Sequence, residues 1–381
     1  MGINKYRCWA EVNLTTLREN LVWIKDRVGS HVKIMTVVKA DAYGHGLKQI
    51  AAQLMQSGTD VFGVANLAEA AHIRAIGPGW PILMLGACLP EEVALAVKDG
   101  VMPTISTWQE ALAFSSVAEK LKKTSRIHIK IDTGMGRLGM EPEESLVLIP
   151  KIMKLPGIKI EGIFTHYSSV EDDEAFSAQQ SRMFRNLIEK LRSNNVEIPL
   201  LHANSSGALL HEPKTIYNLV RPGLIVYGIV PQGKRAYHGF LHHQVKPVLS
   251  FKSRISLVKQ ISVGKTISYG HTFVADKPMK VATVTAGYGD GYLRAASNRG
   301  QVLINGTRCP ILGRITMDQM IVDVTCLPNV CDGDVVTLIG CQGNQTITAN
   351  DVATWMNTIP WEVLTNITYR VPRVYLGGEA S

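Results

Sequence analysis

Lys39 closes an apolar run, TVVKA, near the start of this 381-residue chain. A lysine in that setting is drawn out of water. Desolvation lowers an ammonium's pKa, which favours a neutral amine able to attack a carbonyl. A rim lysine paired with a carboxylate fits the same position, and position alone does not separate the two readings. Other apolar runs end in Asp132, with Arg137 just beyond, in His166, in Asn204, and in Arg221. Asn204 is followed by Ser205 and Ser206, and Arg221 by Pro222 and Gly223. One lysine, one histidine, arginines and a Ser/Gly corner suit an anionic small molecule. Ser205 would open a helix whose backbone N–H groups cradle an anion, and Gly223 would let the backbone come close. Arg221 reads either as the partner of a cofactor's pyridine nitrogen or as a salt bridge to a rim carboxylate such as Asp132. His166 reads either as a ring neighbour or as a satisfied core histidine.

These residues need a frame that brings distant segments to one place. Eight β-type runs are legible, at 33–40, 61–66, 81–86, 101–106, 126–133, 158–166, 199–204 and 217–223. Helical segments such as LKQIAAQLM, WQEALAFSSVAEKLKK and SAQQSRMFRNLIEKLRS separate them, after an opening helix that carries Leu17, Leu21, Ile24 and Val28. Continuous apolar runs of this kind suit strands buried on both faces, as in parallel sheets. Eight such units predict an α/β fold, a (β/α)8 TIM barrel, whose functional groups sit at the C-terminal strand ends. A doubly wound open sheet is the alternative, but no GxGxxG follows any strand. After about Leu241 long helices give way to short β-rich runs with turns at Asn305-Gly306, Asp332-Gly333 and Gly343-Asn344. The expected division is a barrel over 1–241 and a mostly-β C-terminal domain over 242–381. The boundary is placed in the stretch 240–247, ending at Pro247.

Composition narrows the function. Hydrophobic residues make up 46% and charged residues 19%, which is enough for a sizeable core. No apolar run reaches the ~20 residues of a membrane span. The N-terminus has no apolar signal region, so a cytoplasmic protein is expected. The net charge of +8 is dispersed and accompanies no nucleic-acid motif. No nucleic-acid or membrane partner is expected. The six cysteines form no CxxC pair and no zinc spacing, so no metal site and no disulfide framework are expected.

The segment VVKADAYGHG (37–46) resembles the pyridoxal-phosphate attachment motif of alanine racemases. HIKIDTGMGRLG (128–139), HANSSGALL (202–210), VRPGLIVYG (220–228), ISYGHTF (267–273), GYGDGY (287–292), GRITMDQM (313–320) and RVPRVY (370–375) are similar to family segments in the family order. The resemblance spans nearly the whole chain. It implies a barrel followed by a β domain, with the strand near 7–14 packing on that second domain. It further implies a homodimer in which each active site is completed by the partner's C-terminal domain, a small amino-acid substrate, and a role in supplying D-alanine for peptidoglycan.

The same resemblance implies residue roles. Lys39 would anchor pyridoxal 5′-phosphate and act as the base for the D enantiomer, with Tyr269 as the opposing base for the L enantiomer. Tyr43, Ser205, Gly223 and Leu224 would contact the phosphate. Arg221 would face the pyridine nitrogen, with His166 beneath the ring. Arg137 and the backbone of Met317 would hold the substrate carboxylate. Lys130, matching a lysine often carbamylated in the family, would orient Arg137. Tyr288, Arg294 and Asp318 would line or border the entrance. Trp361 in IPWEV is a departure, because the family usually has a tyrosine there that borders the substrate side chain. A broader preference for serine or other small amino acids is therefore an alternative. A related decarboxylase of basic amino acids and a non-catalytic cofactor carrier are further alternatives.

Overall fold

The computed structural model describes residues 6–211, 216–235 and 244–378. The chain opens with β1 (Cys8–Asn13) and α1 (Leu14–Val28). It continues with β2 (Lys33–Val37), a single turn α2 (Lys39–Tyr43), α3 (Leu47–Ser57), β3 (Val61–Val64), α4 (Leu67–Ile76), β4 (Ile82–Met84), α5 (Val93–Asp99), β5 (Met102–Ile105) and α6 (Trp108–Lys120). Next come β6 (Ser125–Lys130), α7 (Pro142–Ile152), β7 (Ile158–Phe164), α8 (Glu174–Ser193), β8 (Leu200–His202), α9 (Ser206–His211) and β9 (Leu219–Val220). Strands β2 to β9 form one parallel sheet in the order β8-β7-β6-β5-β4-β3-β2-β9. A parallel bridge between Ser205 and Arg221, with the Arg221 N–H donating to the Asn204 carbonyl at 2.8 Å, joins the two ends. The result is an eight-stranded α/β barrel.

The sequence explains much of the helix placement. Asn66, Thr107 and Asp173 cap α4, α6 and α8 through their side chains, satisfying N–H groups that no helix turn can reach. α7 opens with a proline in its first turn and Glu143 and Glu144 beside it, and it carries Pro150 inside.

The interior of this barrel is built in layers. Met35, Val61, Leu83, Met102, Leu200 and Leu219 form an apolar base. Side chains two residues further along a strand project to the same side. Above the base, His128 and Lys130 of β6, Phe164 of β7, His202 of β8 and Arg221 after β9 are all buried. On the outside, α1 buries Leu17, Leu21, Ile24 and Val28 together with one polar residue, Asn20. Asn20 Nδ2 donates to the carbonyls of Val226 and Lys246 at 3.0 and 2.9 Å, and its Oδ1 accepts from the Lys246 N–H at 2.9 Å.

The chain divides into two units. One comprises Leu17–Ala42 and Leu47–Lys246, and the other Met1–Thr16, Tyr43–Gly46 and Pro247–Ser381. The late division therefore falls between Lys246 and Pro247, while residue 241 lies outside the described residues. The second unit contains β10 (Leu249–Ile261), β11 (Met279–Val284), β12 (Gln301–Ile304), β13 (Thr307–Leu312), β14 (Met320–Asp323), β15 (Val335–Gln342), β16 (Gln345–Ile347), α10 (Ala349–Met356), α11 (Pro360–Thr365) and β17 (Arg373–Leu376). Strands β10, β11, β14, β13, β12 and β15 pair in sequence, and β15 pairs again with β10, closing a six-stranded antiparallel ring. The β12–β13 hairpin turns at Asn305-Gly306, both at positive φ, as an Asn-Gly turn requires. β1 extends this sheet, antiparallel to β10 and parallel to β17.

Replacing Asn20 with alanine should destabilise the barrel by about 2–4 kcal/mol, because two carbonyls and an N–H lose their partner at once. A thermal midpoint equal to that of the parent would show that these bonds do not hold α1 in place.

Candidate active site

Lys39 follows β2 and is half-buried. Desolvation, then the Arg137 guanidinium, lowers its pKa below the ordinary lysine value, partly opposed by Glu69. Glu69 does not form an ion pair with it. Its Oε1 accepts from the Ala40 N–H and its Oε2 from the Ala65 N–H, each at 2.7 Å. Of the two readings open in the sequence, the lysine–carboxylate pair is therefore not what these residues form.

The backbone beyond Lys39 is unusual. Ala40, Asp41, Ala42 and Tyr43 all have φ of 53°, so α2 is a left-handed turn. Each such residue without glycine's freedom costs roughly 1–2 kcal/mol. Surrounding bonds hold the turn: the Ala42 N–H donates to the Val38 carbonyl at 2.9 Å, and the Asp41 carboxylate accepts from the Leu47 N–H at 2.7 Å. Strain of this kind concentrates at functional sites. Tyr43, at its end, is buried.

The carboxyl ends of the other strands bring further cations. Lys130 ends β6, and its ammonium lies 5.2 Å from the centroid of the Phe164 ring. The Arg221 guanidinium lies 5.2 Å from the same ring. Burial, then the charge of Arg221, pushes the Lys130 pKa down to about 7. His166 follows β7. Burial, then Arg221, Lys130, Arg137 and Lys39 in turn, holds its pKa well below the ordinary histidine value, so it is neutral. Arg221 NH2 lies 3.4 Å from His166 Nδ1.

Arg221 itself pairs with no carboxylate among the described residues. Its NH2 donates to the carbonyls of Thr165 and Ala203 at 2.9 and 3.0 Å, and its NH1 faces His202 Nδ1 at 2.9 Å. Asp132, the carboxylate that the sequence offered as its partner, is taken up elsewhere. Asp132 accepts the N–H groups of Gly134, Met135 and Gly136 at 2.8–3.2 Å. Burial raises its pKa, but these three donors outweigh burial, and the net shift is downward. The same bonds shape the loop that carries Arg137, which is exposed.

The phosphate-type corner is built by β8, β9 and the loops at their carboxyl ends. Ser205 immediately precedes α9, and its carbonyl accepts the Leu209 N–H at 2.9 Å. The buried Ser206 hydroxyl accepts the N–H groups of Gly223 and Ile225 at 2.9 and 3.3 Å, tying the two loops together. Gly223 and Leu224 are buried in this corner.

The remaining sequence-derived residues belong to the second unit. Tyr269 sits in a short turn and is 71% exposed. The neighbouring Ser268 hydroxyl donates to the Arg314 carbonyl at 2.5 Å, which fastens this turn to the segment leading to Met317. The Met317 carbonyl accepts the Gly289 N–H at 2.8 Å, and the Thr316 carbonyl accepts the Tyr288 N–H at 3.1 Å. Arg370 bridges the buried Asp290 and the exposed Asp318 with two 2.8 Å bonds. Tyr288, Met317 and Asp318 are thus held together. Arg294 is exposed, and Trp361 is the half-buried second residue of α11.

Sequence reasoning did not single out His128, His202, Phe164 or Glu69. The alternation His128, Lys130, Asp132 along one strand face was the available signal. It was masked because a buried histidine is more often a packing residue than a functional one. Among the described residues no group of three or more potential metal ligands occurs. No helix among them is long and apolar enough to cross a membrane.

Charged groups gathered at the carboxyl ends of the strands, with an antiparallel barrel appended, define a β/α-barrel enzyme. The alanine racemase N-terminal domain model matches residues 12–231 and the C-terminal domain model residues 248–375. The chain belongs to the alanine racemase family, whose members are isomerases. It is 41% identical over 369 residues to the alanine racemase of Halothermothrix orenii, covering 96% of each chain. Among solved structures, the alanine racemase of Clostridium difficile 630 matches with a TM-score of 0.90 at 34% identity, over 98% of this chain and 96% of that one. The alanine racemase from Bartonella henselae with covalently bound pyridoxal phosphate matches with a TM-score of 0.87 at 28% identity, over 97% of this chain and 100% of that one.

A group whose folded pKa is depressed to about 7 carries its charge in the folded state only at a cost. For Lys130 that cost is complete below about pH 7. It fades as pH rises toward the ordinary value of 10.5, at up to about 1.4 kcal/mol per unit. Lys130→Met should therefore gain stability over the parent at pH 6 to 7 and lose that advantage toward pH 10. Thermal melts of cofactor-free protein in carbon-dioxide-free buffer test this, and a difference independent of pH would contradict it.

Proposed function

We propose that this enzyme interconverts L-alanine and D-alanine with pyridoxal 5′-phosphate held on Lys39. The observation that carries the reading is Lys39 itself. Its amine is desolvated beside Arg137, it has no carboxylate partner among the described residues, and it stands at the end of a strand in a chain that matches the family over nearly its full length. The donor set fits an anionic cofactor and an anionic substrate. Lys39, Lys130, Arg221 and Arg137 crowd one barrel mouth, where their charges oppose one another, and bound anions relieve that repulsion.

Pyridoxal phosphate, when bound, supplies the electron sink that makes an amino acid's Cα proton removable. The chain's residues do the rest. Ser205, Tyr43, Gly223 and Leu224 would hold the phosphate, through a helix start and close backbone. Arg221 would offer a positively charged donor to the pyridine nitrogen, which would keep that nitrogen unprotonated and disfavour side reactions such as transamination. His166, a neutral imidazole, would lie beside the ring. Arg137 and the Met317 backbone N–H hold the substrate carboxylate. The neutral amine of Lys130 is suited to adding carbon dioxide: nitrogen bonds to carbon, a proton leaves, and the resulting carbamate anion orients Arg137.

Racemisation needs a proton removed from one face and returned to the other. Lys39 Nζ serves the D enantiomer and the Tyr269 hydroxyl the L enantiomer. Tyr269 is 71% exposed on its own chain, which suits a residue that completes the site of a second copy in a homodimer. Tyr288, Arg294 and Asp318 border the way in, and Trp361 shapes the space for the substrate side chain. The product D-alanine would serve peptidoglycan synthesis in the cytoplasm.

L-alanine incubated with the enzyme and pyridoxal phosphate in deuterium oxide should lose optical rotation and gain Cα deuterium while keeping its carboxylate. Release of carbon dioxide instead would overturn the reading in favour of a decarboxylase. Lys39→Ala should abolish covalent retention of the cofactor through denaturation and gel filtration. Tyr269→Phe should slow deuterium exchange into L-alanine by about 10²- to 10⁴-fold and exchange into D-alanine far less, and equal mild losses would contradict two bases. Trp361→Tyr should shift the alanine-to-serine activity ratio severalfold, and an unaltered ratio would free this position of any part in selectivity.

A further inference from the structure

Behind Arg221 lie two histidines that the reaction scheme does not use. His202 Nδ1 faces Arg221 NH1 at 2.9 Å, and His202 Nε2 faces His128 Nδ1 at 2.9 Å. Both rings are fully buried. A guanidinium only donates, so His202 Nδ1 must offer a lone pair. A neutral imidazole with Nδ1 unprotonated carries its proton on Nε2, so His202 Nε2 donates to His128. His128 Nδ1 is then an acceptor, and its own proton sits on Nε2. Arg221 thus dictates both tautomers in turn. Burial keeps both rings neutral, with the His128 pKa pushed down to about 3 and that of His202 well below the ordinary value.

The space for this pair is reserved. Phe164 stacks on His202 at 4.6 Å between centroids and 4° between planes, fixing the ring's orientation. A Cβ on Gly162 would lie 2.4 Å from His128 Nδ1. Only glycine at this strand position lets the His128 ring reach His202.

We propose that His128 is a positioning residue for the racemase site: by accepting the Nε2 proton of His202, it leaves His202 with only a lone pair to present to Arg221. The proposal rests on the reading of Arg221 as the partner of the cofactor's ring nitrogen. Were the His202 proton free to move to Nδ1, an N–H would point at the guanidinium and Arg221 would lose one of the neutral acceptors that hold it. No carboxylate among the described residues is present to take over.

The test uses the full-length chain labelled with ¹⁵N-histidine, with and without added pyridoxal phosphate. Long-range ¹H–¹⁵N spectra should show His202 and His128 each protonated on Nε2 and bare on Nδ1 in both states. His128→Asn, whose side-chain oxygen can replace the Nδ1 lone pair, should keep the His202 tautomer and keep kcat within about threefold of the parent. His128→Phe, which fills the space but accepts nothing, should mix the His202 tautomers. It should lower kcat by about 10- to 100-fold, the usual penalty for losing such a supporting partner, with little change in KM, and should alter the visible absorbance of the bound cofactor. A His202 protonated on Nδ1 in the parent protein would overturn the proposal. So would a folded His128→Phe with unchanged tautomer and unchanged kcat. If His128→Phe does not fold, the parent spectrum and His128→Asn still decide. The cofactor-free spectra report on the relay even if pyridoxal phosphate does not bind to Lys39, so failure of the relay and failure of the functional reading are separately visible.

Discussion

A buried guanidinium, Arg221, with no carboxylate partner among the described residues organises the centre of this barrel. Moving an isolated charge into a protein interior is costly unless hydrogen bonds replace its water. Arg221 meets that demand with two backbone carbonyls and the imidazole of His202. Because these acceptors are neutral, the positive charge is not cancelled. Its field adds to burial, the larger cause, in holding His166 and His202 neutral and in bringing Lys130 down to about 7. A carboxylate in place of any of these acceptors would quench that field and raise the proton affinity of every neighbour. The cationic character of the strand ends follows in part from how this one residue is satisfied.

The carboxylates nearby are managed so that they do not interfere. Asp132 closes on three backbone N–H groups, and Glu69 on two. Each uses its charge to shape a loop rather than to neutralise a neighbouring cation. The Glu69 bond to Ala40 also helps hold the left-handed turn that begins directly after Lys39. Local strain, loop shape and electrostatics are thus settled by the same few hydrogen bonds. A strained segment beside a reactive amine limits where that amine can point, which favours chemistry that needs one geometry.

The residues singled out in the sequence are distributed over two structural units. The barrel unit carries Lys39, Lys130, Arg137, His166, Ser205, Arg221 and Gly223, and the β unit carries Tyr43, Tyr269, Met317 and Trp361. Each unit has a closed sheet, so each can hold its groups rigidly. Within the β unit, Arg370 bridges Asp290 and Asp318, and Tyr269 is exposed.

Much of this was written in the sequence. Eight apolar runs separated by helical segments pointed to a barrel, with a doubly wound sheet set behind it by the missing GxGxxG. The Asn-Gly turn and the caps at Asn66, Thr107 and Asp173 are local chemistry and are readable residue by residue. The ordered family segments marked the family, and the lysine closing TVVKA marked a candidate site. β9 proved far shorter than the run that announced it. What only the tertiary structure decided is the partnership of charges. Whether Lys39 and Arg221 meet carboxylates or neutral acceptors depends on which strand ends become neighbours when the barrel closes. His128 and His202 are 74 residues apart, and Gly162 makes room for their contact from a third strand. Proximity across a closed sheet has no signature in a single sequence, and it is this proximity that turns separate buried residues into one electrostatic site.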